Sequence, residues 1–149
     1  MKEAQRDAIN TFFVDTFNRI LSLEEHALSK GDISDLSVKE LHIIEAVCLL
    51  EQDGHNTMSE IAAKVGITVG ALTTAVNVLV KKGYLKRNRS DKDRRIVRMF
   101  LTEKGRHAEI HHRVFHENMI AYVEQALNDE EIDKLIYALK QLSCFFSGL

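Results

Sequence analysis

Between Lys81 and Arg98 nine basic side chains (Lys81, Lys82, Lys86, Arg87, Arg89, Lys92, Arg94, Arg95 and Arg98) accompany only two acidic ones, Asp91 and Asp93. That window carries +7 while the 149-residue chain totals −2, so the remainder must carry −9. Cations this dense bind polyanions by displacing their counterions. Immediately before them, Gly70, Thr73, Thr74, Asn77 and Lys81 recur at i, i+3, i+4, i+7 and i+11, which is one face of a helix. The face is small and polar at its start and basic at its end. Small residues let a helix sink into the major groove, and threonine offers a hydroxyl to phosphates or base edges and a methyl to thymine. Asn77 suits adenine or a phosphate equally well. A groove-sized polar helix beside a basic loop points to duplex DNA.

Inside the loop, Asp93-Arg94-Arg95 is the most specific signal. An aspartate opposes phosphate binding unless it holds an arginine in place. An extended Arg95 held in this way fits a narrow minor groove, where A·T-rich sequence deepens the negative potential. Arg94 then falls on the backbone, Arg89 adds to the same basic wing, and Lys92 reads as a solvated charge.

Histidines form the second cluster. His107, His111, His112 and His116 share one predicted helix, and His107/His111 and His112/His116 are i,i+4 pairs of the kind that clamp zinc. His42, Glu24, Glu25 and His26 are further possible ligands. The greater weight goes to histidines packed in a cleft or solvated, so no metal and no other cofactor is assigned. Cys48 and Cys144 sit in apolar runs without CxxC spacing, which indicates a reducing compartment and inert thiols.

Such groups need elements to position them. Residues 2–29 place Ile9, Phe12, Phe13, Thr16, Phe17 and Ile20 at helical spacing. Ser37 to Glu40 has the form of a capping box opening a helix through Leu41, Ile44, Val47, Cys48 and Leu50, which stops near Gln52. Thr57 to Glu60 repeats the pattern for a short helix, 59–65, closed by Gly66, with Ile67 expected to pack inward and Thr68 to cap the next helix. That helix runs to about Lys82 with Leu72, Ala75, Val76 and Leu79 inward, and stops at Gly83. Residues 84–88 and 96–101 predict a hairpin. A long helix follows Thr102 to about Leu127, and Asn128 to Glu131 caps a last one with Ile132, Leu135, Ile136, Leu139, Leu142 and Phe146 on one face.

The chain contains no proline, which suits long helices. The expectation is a mainly α protein with a small β-hairpin wing. It reads as one domain over 1–149, a winged helix-turn-helix at 37–102 flanked by dimerisation helices at 1–36 and 103–149. A homodimer would cover two half-sites of a palindromic operator. The N-terminus lacks a signal-peptide core and no run approaches the ~20 apolar residues of a membrane span, so a soluble cytoplasmic protein is expected, with no membrane partner. No Gly-rich phosphate loop, GxSxG or pair of carboxylates in an apolar setting suggests an enzyme. A winged helix that binds only protein would carry a neutral wing.

The stretches SEIAAKVGIT, LVKKGYLKR and DKDRRIVRMFLTEKG resemble the MarR family of bacterial transcriptional regulators, and the helical flanks match its order. The resemblance implies a homodimeric repressor with 68–82 as recognition helix, Thr68, Gly70, Thr73, Thr74, Asn77 and Lys81 on its DNA side, and Arg95 as the minor-groove arginine. FNRILSLEE, ISDLSVKELHIIEAV, ITVGALTTAVNVLVKKGY and HHRVFHENM are similar to members that repress fatty-acid synthesis. That implies a long-chain acyl group on acyl carrier protein as corepressor, in a cleft lined by Phe13, Phe17, His42, His107 and His111. Zinc-sensing members use the same elements. This sequence departs from them at Leu41, where a carboxylate is expected, and has no cysteine near Lys30.

Overall fold

The computed structural model describes residues 1–29, 31–89, 93 and 95–148. They form two compact units, Met1–Ile110 and His111–Leu149. The first holds α1 (Glu3–Ser29), α2 (Val38–Gln52), α3 (Met58–Val65), α4 (Val69–Lys81), β1 (Leu85–Arg89) and β2 (Val97–Leu101). Helix α5 (Glu103–Ala126) starts in the first unit and continues into the second, which also contains α6 (Asp129–Ser147). The start of α5 belongs with the first unit, since Ala108 is fully buried and Gly105 lies against the base of the hairpin. A Cβ on Gly105 would stand 2.2 Å from the Tyr84 carbonyl oxygen, so only glycine permits this approach.

Local chemistry sets the helix ends. Ser37 and Glu40 close a capping box on α2, Thr57 and Glu60 on α3, and Asn128 and Glu131 on α6. Gly66 ends α3 at φ 77° and Gly83 follows α4 at φ 82°, backbone conformations that other residues resist. Ile67 corrects one expectation, since it lies on the surface rather than inside. Its N–H, bonded to the Ala62 carbonyl at 3.1 Å, is what the helix end requires, and its side chain is left outside.

The core of the first unit is Ile44 and Val47 of α2, Ile61 of α3, Leu72, Val76 and Leu79 of α4, and Tyr84 and Met99 of the hairpin, all fully buried. Strands β1 and β2 pair antiparallel from Leu85↔Leu101 to Arg89↔Val97. A bridge between Thr57 and Arg98 attaches the start of α3 to this ribbon. Buried Asn56 locks the same junction: its amide donates to the Met99 carbonyl at 2.6 Å, and its own carbonyl accepts from Met99 N–H at 2.9 Å.

Polar contacts tie the end of α4 to the start of α2 and the chain just before it. The Lys82 ammonium reaches both Glu40 oxygens at 2.9 Å and the Asp35 carbonyl. The Tyr84 hydroxyl donates to Asp35 at 2.5 Å, and Lys104 sits 4.1 Å from the centre of the Tyr84 ring. The Tyr84 bond, helped by Lys104, holds the Asp35 carboxyl below its ordinary range, while burial and the Asp35 carboxylate push the phenol upward. Burial alone would raise Glu40, but the Ser37 amide and Lys82 overcome it and keep it low.

In the second unit α6 buries none of its residues. Among the described residues no single helix is long and apolar enough to cross a membrane.

Candidate nucleic-acid interface

Helix α4 turns Leu72, Val76 and Leu79 wholly inward, which leaves Gly70, Thr73, Thr74, Asn77 and Lys81 exposed together. Thr68 stands at its head with its hydroxyl oxygen accepting the Ala71 N–H at 3.2 Å. That oxygen is engaged in capping. Thr73 is arranged in the opposite sense. Its hydroxyl donates to the Val69 carbonyl at 2.7 Å, so outward it presents lone pairs and a methyl. Thr74 makes a longer contact of the same kind with Gly70, at 3.4 Å. Phosphate oxygens only accept, so this geometry suits Thr73 to a base edge better than to the backbone.

The wing stands beside this face. Lys86, Arg87, Asn88 and Arg89 are all exposed along β1, whose first residue, Leu85, anchors it in the core. Asp93 accepts the Arg95 backbone N–H at 2.9 Å, and its carbonyl accepts that of Ile96 at 3.0 Å. It therefore shapes the turn that carries Arg95, through the backbone of that residue, and Arg95 is exposed. Arg94, expected beside it, lies outside the described residues.

Among the described residues of the basic window, Lys82 and Arg98 have structural work that their sequence positions did not reveal. Lys82 is half-buried against Glu40. Arg98 donates to the Gly54 carbonyl and reaches Asn56 Oδ1 at 3.3 Å, which pins β2 to the loop before α3. Their partners lie more than forty positions away, so local spacing carries no sign of them. Arg87 was also missed as a placed residue. Its guanidinium donates to Asn77 Oδ1 and joins the wing to α4.

The MarR family model matches residues 36–97, which hold the capping boxes of α2 and α3, helix α4 and most of the hairpin. Streptococcus pneumoniae FabT, solved in complex with DNA, is 33% identical, with a TM-score of 0.85 over 96% of this chain and 98% of that one. Two Bacillus subtilis proteins described as uncharacterized HTH-type transcriptional regulators are also similar. YwhA is 32% identical over 58% of this chain and 68% of its own length, and YkoM 28% identical over 80% and 76%. The chain belongs to the MarR family. It is a DNA-binding transcriptional regulator with the family's winged-helix fold, and not an enzyme.

The residues expected to line an effector cleft are distributed more widely than the DNA face. Phe13 is half-buried and Phe17 exposed on α1, while His107 and His111 are exposed on α5. His42 borders a cavity of about 410 Å³ with Glu45, Ala46, Leu49, Lys64 and Val65, and none of the other four lines it. The buried histidine of α5 is instead His112, whose Nε2 lies 2.9 Å from that of His116. Within the first unit, Glu24 is buried, with a side-chain oxygen 3.8 Å from His42 Nε2.

Proposed function

We propose that this regulator is a cytoplasmic homodimeric repressor of fatty-acid-synthesis genes, drawn to a palindromic, A·T-rich operator and tightened on it by long-chain acyl-acyl carrier protein. The observation that carries the reading is the 33% identity to FabT along nearly the whole of both chains, with a TM-score of 0.85. The motifs that resemble fatty-acid-synthesis repressors add to it. So does the exposed face of Thr73, Thr74, Asn77 and Lys81 beside Arg89, Asp93 and Arg95. The unburied apolar stripes of α1 and α6, among them Phe12, Phe17, Leu139 and Phe146, favour a second copy. Each methylene of an acyl chain moved out of water contributes about 0.8 kcal/mol. It alters DNA binding only by favouring one dimer conformation over another.

A zinc response is the second reading. Buried Glu24 beside His42 favours it, a carboxylate and an imidazole that a cation would draw together.

One titration separates the two, using an operator selected from randomised duplex DNA. Long-chain acyl-acyl carrier protein is expected to tighten binding, and the carrier without its acyl chain to do little. Under the zinc reading a chelator weakens binding, zinc restores it, and His42→Ala and His111→Ala abolish the response. Indifference to the acylated carrier overturns the fatty-acid reading.

A further inference from the structure

The contact between Arg87 and Asn77 limits what the recognition helix can say to a base pair. A carboxamide reads adenine with both ends, Oδ1 accepting from N6–H and Nδ2 donating to N7. Here one lone pair of Oδ1 is engaged by the Arg87 guanidinium. The orientation of the amide is dictated by chemistry, since a guanidinium only donates and an amide NH₂ turned toward it would meet a donor. The second lone pair of Oδ1 stays beside that cation, whose positive charge opposes the approach of the adenine N6–H donor, so Asn77 is better suited outward as a donor through its NH₂. Phosphate oxygens only accept, so that NH₂ matches the backbone, and the two-ended adenine contact is disfavoured. Arg87 has five N–H donors and spends one on Asn77. Its charge and remaining donors stay at the junction of α4 and β1, where a phosphate strand would pass.

We propose that Arg87 is a positioning residue that sets specificity, turning Asn77 from an adenine reader into a phosphate anchor. Base readout is then left to Thr73, Thr74 and Arg95. The inference rests on α4 being the DNA-reading helix, as proposed above. It adds a residue outside the expected contact set and reverses one of the two roles open to Asn77.

The test is selection from a randomised duplex library by the full-length protein, followed by affinities for single-base variants of the selected site. Wild type, Asn77→Ala, Arg87→Lys, Arg87→Met and the Arg87→Met/Asn77→Ala double variant are compared. Asn77→Ala is expected to weaken all duplexes by the same few-fold factor without changing the base profile. Arg87→Lys keeps a donor and the charge and should keep the profile. Arg87→Met should give a shallower salt dependence and a new preference for adenine at one position per half-site, about tenfold, which the double variant loses. An adenine preference lost in Asn77→Ala alone overturns the inference, and this arm decides even if Arg87→Met melts early. A well-folded Arg87→Met with the wild-type profile also overturns it. If wild type selects no sequence at all, the reading of α4 falls and the inference with it. A selected sequence with unmoved variants removes only the inference.

Discussion

Helices α4 and α6 are both amphipathic, yet they meet opposite fates within one chain. The apolar stripe of α4 (Leu72, Val76, Leu79) is wholly buried by α2, α3 and the hairpin. In the stripe of α6 no residue is fully buried, and Leu139 and Phe146 are more than half exposed. A helix whose hydrocarbon is consumed at home has only its polar face to offer, and on α4 that is the face proposed to meet DNA. A helix whose hydrocarbon is left over offers the stripe itself, and contiguous exposed apolar surface marks association. Amphipathicity alone therefore does not say which side of a helix is functional. What distinguishes the two is whether the rest of the chain supplies a cover.

The strongest way to break this contrast is to damage each stripe. Leu72→Ala should cost roughly 2–5 kcal/mol of folding stability, through lost burial and the cavity left behind, seen as an earlier urea midpoint. Phe146→Asp should leave that core untouched and instead loosen assembly, since one buried apolar side chain contributes about 1.5–3 kcal/mol. Sedimentation at micromolar concentration reads the second effect. A wild-type protein that already sediments as a monomer removes the dimer from the proposal.

A smaller effect sharpens the polar side of the contrast. Arg95→Ala should weaken operator binding by about 1–3 kcal/mol and reduce the preference for A·T-rich flanks. Lys81→Ala should weaken operator and random DNA almost equally, with a shallower salt slope. Equal, uniform losses from both would make Arg95 one more phosphate contact.

How much of this was legible beforehand follows the range of the interactions. The three capping boxes and the turns at Gly66 and Gly83 were readable, because cap chemistry is decided within a few positions. The exposed polar face of α4 was readable too, since helical period and burial of Leu72, Val76 and Leu79 fix what remains outside. Lys82 and Arg98 were not, because Glu40 and Gly54 are distant in sequence and a count of charges cannot see a partner. Asp93 was expected to hold an arginine side chain extended, whereas the bond the structure shows is to the Arg95 backbone N–H. The effector residues were least legible. A histidine on a long helix takes its meaning from what covers it, and on α5 it is His112 rather than His107 or His111 that is buried.

The smallest predicted effect belongs to the cap that starts α3, the helix packed against α4. Glu60 accepts from the Thr57 hydroxyl at 2.6 Å, the Thr57 N–H at 3.0 Å and the His55 ring at 2.9 Å. The Thr57 bonds, then His55, pull its carboxyl from 4.5 down to about 2. A carboxyl depressed in the folded state takes up its proton later than in the unfolded chain. Its stabilisation is therefore complete above about 4.5 and is lost as the pH falls toward about 2. The side chain is 38% exposed, so solvent screens the effect to roughly 1 kcal/mol or less. Glu60→Gln keeps the shape and an acceptor for Thr57 but cannot ionise. It should unfold slightly more easily than wild type in urea at neutral pH, and the gap should close as the solution is acidified toward pH 2. A gap of constant size across that range would assign the cap's contribution to shape and hydrogen bonding, with no share from the charge.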